Sequence, residues 1–214
     1  MQGIEVTYID SMGTDLTVAN VARVSFNNWK QQLEDKDVRL IDYLASHEHT
    51  SPFRHVFLSV RCTAPIFLAR QLAKHQVGLS WNEVSRRYVD SWPELYDVET
   101  WRGRPKKSIK QGSGGALEDG GAVTEAVKHT HLTSLDTYQF LLDKGVAPEQ
   151  ARMVLPQSMM TQWIWSGSLQ AFFNTWRLRI DAHAQKEAQV FASKLGDVIN
   201  ELFPVSWKAL GESQ

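Results

Sequence analysis

Residues 55–63 read His-Val-Phe-Leu-Ser-Val-Arg-Cys-Thr, and Val56, Leu58, Val60 and Cys62 fall on one side of the run. Strand side chains alternate between two faces, so this stretch reads as a β-strand with one apolar face. Pro65 then suits the first turn of a helix over roughly 65–76. Around this pair the other elements come in no regular order. Strands are expected at 3–8, 83–89 and 158–165. Helices are expected at 15–25, with Asp15 as a candidate N-cap, and at 37–47, where Val38, Ile41, Leu44 and Ala45 share a face. A long helix over 123–144 places Leu132, Leu135, Tyr138 and Leu142 at helical spacing, with Gly145 at its C-cap. Pro148 opens a further helix that ends by Pro156, and helices follow at 168–179 and 182–203. The last carries Ala188, Phe191, Leu195, Val198 and Leu202 on one stripe. Such an order excludes a doubly wound parallel sheet and points to an α+β fold.

At 214 residues the chain suits one domain, 1–214. Its net charge of -1 gives no overall field for nucleic acid or an anionic membrane, so an anionic ligand must be held by local basic groups. A single cysteine excludes a disulfide within the chain. No basic start leads into an apolar core, and no apolar run approaches the ~20 residues of a membrane helix. A cytoplasmic protein without a membrane partner is therefore expected. Residues 101–122, with Gly103, Pro105, Lys106, Lys107, Lys110 and Gly112-Ser-Gly-Gly115, form the one loop-like region.

The densest polar cluster runs from Arg70 to Tyr88, with four cationic groups among nineteen residues. On a helix Arg70 and Lys74 stand one turn apart, with Gln71 and His75 on the adjacent row. On a following strand Glu83, Ser85 and Arg87 project to one side. Two such faces suit a phosphate and a polar ring, and by spacing alone they equally suit a solvated helix and a sheet edge. The histidines complete no zinc pattern, so no metal is expected. Gly112-Ser-Gly-Gly115 lacks the Gly-Lys-Ser/Thr ending of a phosphate loop. No dinucleotide-binding glycine fingerprint occurs.

Ser80-Trp-Asn82-Glu83-Val-Ser85-Arg-Arg87-Tyr88 resembles the second half of the signature of flavin-dependent thymidylate synthases. Further matching blocks follow in the family's order: Ala22-Arg-Val-Ser25-Phe, His49-Thr-Ser51-Pro-Phe-Arg-His55, Ala64-Pro-Ile-Phe67, Ala151-Arg152-Met-Val-Leu-Pro156, and Asn174 to Gln185. Two departures stand out. Lys74-His75-Gln76 replaces the family's Arg-His-Arg, and eight residues rather than seven separate Gln76 from Ser85, the extra one near Gly78-Leu79. Lysine keeps the charge but loses the planar fork of arginine.

The resemblance implies a twisted, mainly antiparallel sheet packed by long helices, in homotetramers with shared active sites. It implies methylation of dUMP to dTMP, with methylenetetrahydrofolate as one-carbon donor and FAD as electron relay from NADPH. Arg179 takes the position that stabilises charge on the uracil ring, a job a fixed guanidinium does well. Gln71, Lys74, Glu83, Ser85, Arg87, Arg152 and Arg179 are the implied dUMP contacts. Ser51, Lys74, His75, Gln76, Glu83, Ser168 and Asn174 are the implied FAD contacts, with His49 and His183 as neighbours. On its own Arg179 reads as a surface arginine, one helical turn from His183. Trp81 and Trp101 are candidates to stack on flavin or folate. Cys62, on the apolar strand face, reads as a small hydrophobe, so catalysis without a cysteine nucleophile is expected. Two rivals are a nucleotide-binding protein that has lost the flavin and a flavoprotein that methylates uracil in RNA. The absence of a basic tract weighs against the second.

Overall fold

The computed structural model describes residues 3–105 and 112–213. Among the described residues four strands form one antiparallel sheet in the order β1-β2-β4-β3, where β1 is Glu5–Met12, β2 Phe57–Pro65, β3 Leu79–Glu83 and β4 Met160–Ser168. The expected α+β architecture is present. Val56, Leu58, Val60 and Cys62 are all buried, as their alternation requires. Opposite them on β4, Trp163 and Trp165 complete the inner face, and Trp81 of β3 stacks on Trp163 with ring centroids 4.2 Å apart.

Helices make up most of the remainder. They are α1 (Asp15–Arg23), α2 (Asp35–Ser46), α3 (Ile66–Leu72), α4 (Gly120–Asp143), α5 (Pro148–Ala151), α6 (Leu169–Ile180), α7 (Lys186–Leu202) and α8 (Pro204–Glu212). Ala188, Phe191 and Leu195 of α7 are fully buried, and Val198 and Leu202 pack against the same core. At the end of α4, Gly145 takes φ +79° and its N–H donates to Leu142 O at 2.9 Å, so the expected C-cap forms. Only Leu135 and Tyr138 of α4 are buried; Leu132 and Phe140 of the same helix are more than half exposed.

Several boundaries differ from the sequence reading, each for a local reason. The first strand continues to Met12 past an irregularity between Tyr8 and Asp10, because pairing with β2 outweighs the low strand propensity of Asp10 and Ser11. Thr14, not Asp15, is the N-cap of α1. Asp15 instead accepts the backbone N–H of Val205 (3.1 Å) and Ser206 (2.8 Å), capping α8, a helix the sequence reading lacked. The strand expected at 83–89 ends at Glu83: Ser85 O accepts from Tyr88 N at 3.0 Å and Ser85 Oγ from Arg87 N at 3.3 Å, so a serine turn displaces the ladder. Glu83, Ser85 and Arg87 therefore share no strand face. The helix expected over 182–203 begins only at Lys186, because Asp181 Oδ1 accepts the N–H of His183 at 2.7 Å and breaks the chain between α6 and α7.

Candidate functional site

α3 stops at Leu72, four residues short of expectation, and Lys74-His75-Gln76 lies in the turn that reverses the chain into β3. Gly78 takes φ +74°, and a Cβ there would stand 3.1 Å from Ala171 Cβ. This left-handed glycine turn packs on the β4–α6 junction and leaves Val77 92% exposed at the tip. Lys74 and Gln76 are exposed beside it.

This turn carries His75 to α6, where Arg179 Nε donates to His75 Nε2 at 2.9 Å. As acceptor, His75 is neutral, with its proton on Nδ1. Burial and then the neighbouring Arg179 charge hold its pKa below the ordinary histidine value. Burial also lowers Arg179 from its ordinary value, yet a guanidinium stays charged at any physiological pH. Among the described residues Arg179 makes no other side-chain hydrogen bond, so its remaining donors suit a ligand.

Arg179 lines a cleft of about 700 Å³ with Gln71, Gly112, Arg177, Asp181 and His183. Gln71 has a buried carbonyl oxygen with no hydrogen-bond partner among the described residues, an acceptor suited to a ligand donor. His183 reaches the cleft through the Asp181 turn and not through α6, so it does not stand one helical turn from Arg179. Its ring Nδ1 lies 3.0 Å from Asp181 Oδ1, and hydrogen bonds from His183 hold the Asp181 carboxyl below the usual range. Across the rim, Arg102 donates to Glu187 Oε1 at 2.6 Å and Gln185 to Oε2 at 2.9 Å. Burial pushes the Glu187 carboxyl up, and those bonds more than offset it, leaving it lowered. Of the 101–122 segment, Lys106, Lys107 and Lys110 lie outside the described residues.

A second cleft, about 490 Å³, is lined by Thr50, Phe53, Gln170, Phe173, Asn174 and Arg177, among others. Ser51 and His49 flank Thr50 in the chain and are exposed, and the His49 ring stands edge-on to Tyr43 at 5.9 Å. Ser168 is buried as the N-cap of α6, accepting from Ala171 N at 3.3 Å. A third group gathers around Glu149, whose carboxylate is 3.5 Å from Arg87 Nε and whose carbonyl accepts from Arg152 Nε at 3.2 Å. Glu83 Oε1 takes the Thr161 hydroxyl at 2.8 Å. The 83–87 and 152 stretches thus meet within one chain, and neither lines the clefts around Arg179 and Asn174.

The family profile described as "Thymidylate synthase complementing protein" matches residues 7–205. The flavin-dependent thymidylate synthase of Thermus thermophilus is 38% identical over 207 residues, covering 97% of this chain and 75% of that protein. The one from Thermotoga neapolitana is 36% identical over 204 residues, covering 95% and 89%. The chain belongs to the flavin-dependent thymidylate synthase family. The crystal structure of PolB, a UMP/dUMP methylase from Streptomyces cacaoi bound with 5-Br dUMP, superposes with a TM-score of 0.87 at 29% identity, covering 99% of this chain and 96% of that one. The same enzyme bound with 5-Br UMP gives a TM-score of 0.88 at 28% identity, covering 100% and 96%.

Cys62 lines neither the Arg179 cleft nor the Asn174 cleft. Cys62 is fully buried, and burial pushes its thiol well above the ordinary value. The two tryptophans expected to stack on a ligand are otherwise engaged: Trp81 stacks on Trp163, and the Trp101 indole N–H donates to Thr124 at 2.9 Å. The sequence reading missed Gln170 and Arg177. Their signal was available, since Gln170, Asn174 and Arg177 follow helical spacing on one face of α6.

Proposed function

We propose that this flavin-dependent thymidylate synthase converts dUMP to dTMP, taking the one-carbon unit from methylenetetrahydrofolate and electrons from NADPH. The observation that carries the site assignment is the Arg179–His75 pair at the mouth of a cleft with an unpartnered glutamine acceptor. Methylation at C5 requires the ring to accumulate negative charge as N3 loses its proton. A half-buried guanidinium, held by a neutral imidazole so that its outer donors face the ligand, stabilises that charge without reorganising. Gln71 orients the ring through its amide. Ser85, Arg87 and Arg152 take the phosphate, where charge-assisted bonds from hydroxyl and guanidinium are strongest, and Lys74 and Glu83 border it.

FAD, when bound, supplies the redox relay between NADPH and the methylene carbon. Of the residues implied for it, Asn174 lines the smaller cleft and His183 the larger, and His75 is bonded to Arg179 of the larger one; Ser51, Lys74, Gln76, Glu83, Ser168 and His49 are the other contacts the family resemblance implies. The buried oxygens of Gln71 and Gln170, without partners among the described residues, suit ligand donors.

The Arg87–Arg152 group and the Arg179 cleft are separate groups within one chain, and the long helix α4 keeps Leu132 and Phe140 exposed. Both features support a homotetramer whose active sites take one group from each of two subunits. Its test is complementation. Arg87→Ala and Arg179→Ala proteins, each inactive, regain activity when unfolded and reassembled together if sites are shared. If the sites lie within single chains, the mixture stays inactive. The likeness to PolB, named as a methylase of UMP as well as dUMP, favours UMP as a second substrate to assay beside dUMP.

A further inference from the structure

The 700 Å³ cleft at Arg179 and the 490 Å³ cleft at Asn174 share one lining residue, Arg177. Its position follows from α6. Asn174 stands one turn before Arg177 and Gln170 one turn before Asn174, so the three form a polar row that begins deep in the second cleft and ends at the first. Gln170 is only 7% exposed, and its Nε2 donates to Asn174 Oδ1 at 3.0 Å. Its Oε1 is buried without a partner among the described residues. Gln170 lines the cleft, and an amide oxygen buried without a partner is costly, so a ligand donor that reaches it from the cleft would remove that cost. Beside it, Phe53 and Phe173 supply apolar surface. At the other end of the row, Arg177 is exposed and forms no ion pair among the described residues.

We propose that Arg177 is the diphosphate anchor of the flavin dinucleotide, spanning the two clefts: adenosine lies in the cleft of Gln170, Phe173 and Asn174, and the isoalloxazine half lies towards His75 and Arg179. The chemistry of the two ends differs in the required way. The Gln170 end offers an open acceptor and aromatic surface, which fit an exocyclic amine on a planar base. The Arg179 end offers cationic donors. The diphosphate joining two such halves is dianionic, and a guanidinium is the side chain best shaped to hold two phosphate oxygens at once. Arg177 also restores a fork-shaped cation in a chain whose signature carries Lys74 and Gln76 where the family has arginine. The inference rests on the reading of the chain as an FAD enzyme.

The test compares FAD with riboflavin, which carries the same ring system and no phosphate, by flavin fluorescence titration of the full-length protein. Wild type binds FAD if the underlying reading holds. Arg177→Gln is expected to raise the FAD dissociation constant at least about tenfold, the loss of a charge-assisted contact, and to change riboflavin binding less than about twofold. Arg177→Lys should recover part of the loss. Because Arg177 is exposed, its replacement should leave the urea midpoint unchanged, and that is measured alongside. Equal FAD affinity in wild type and Arg177→Gln overturns the anchor while leaving the FAD reading intact. Equal loss for FAD and riboflavin overturns it too, because a general distortion would then be the cause. A wild type that binds neither flavin removes the reading and the anchor together.

Discussion

Replacing Cys62 with alanine separates two routes to thymidylate. An enzyme that attacks the pyrimidine through a thiolate loses all turnover without it, whereas the arrangement described here uses no cysteine. Cys62 has 0% exposure, pairs across the sheet with Val6 on one side and Trp163 on the other, and has its thiol pushed up by desolvation. A thiolate at that position is a trace species at neutral pH, and Cys62 lines neither cleft. The cost of Cys62→Ala is therefore one of packing. A single buried heavy atom is lost from a tight core, which destabilises by about 1 kcal/mol, on the scale of deleting one buried methyl group. The assay pairs urea denaturation with the rate of dTMP formation under saturating substrates. The expected outcome is a slightly lower urea midpoint with turnover within about twofold of wild type. Abolished turnover with an intact unfolding transition would refute the reasoning and return the thiol to the mechanism.

Asp15→Ala should cost about 2 kcal/mol, since it strips two N–H groups at the start of α8 of a charged acceptor, while Asp15→Asn keeps much of the cap. Urea curves of the two variants that coincide with wild type would show that the cap contributes nothing. His75 is held below its ordinary pKa of 6.5, so in acid the unfolded chain takes up a proton that the folded chain refuses. Its share of stability is therefore complete above about pH 6.5 and declines as the pH falls from there towards the lowered folded-state value. Thermal melts from pH 8 to pH 5 should fall more steeply for wild type than for His75→Gln, and parallel curves would contradict the assignment of a neutral, hydrogen-bond-accepting imidazole.

Much of this architecture was legible in the chain because side-chain period and burial coincide. The alternation of Val56, Leu58, Val60 and Cys62 and the stripe of α7 each report one buried face, and the structure buries both. What escaped was decided by short polar side chains bonding to nearby backbone. Ser85 turned an alternating run into a turn, and Asp181 split one apparent helix into two. Asp15 spent its carboxylate on a helix almost two hundred residues away, a contact with no local signature. At the site, sequence spacing placed Arg179 and His183 on one helical face. The structure gives Arg179 a different partner, His75, contributed by a turn 104 residues earlier. Arg177 escaped because its helical spacing with Gln170 and Asn174 equally describes a solvated helix face until the two clefts it borders are seen.

The central claim is that the guanidinium-lined cleft activates C5 of a uracil nucleotide for methylation through a flavin. It is tested most directly by tritium release from dUMP labelled at C5. Release that requires FAD, methylenetetrahydrofolate and NADPH, and that Arg179→Ala abolishes while the protein stays folded, is the expected result. Release that continues without flavin, or that Arg179→Ala leaves untouched, would contradict it.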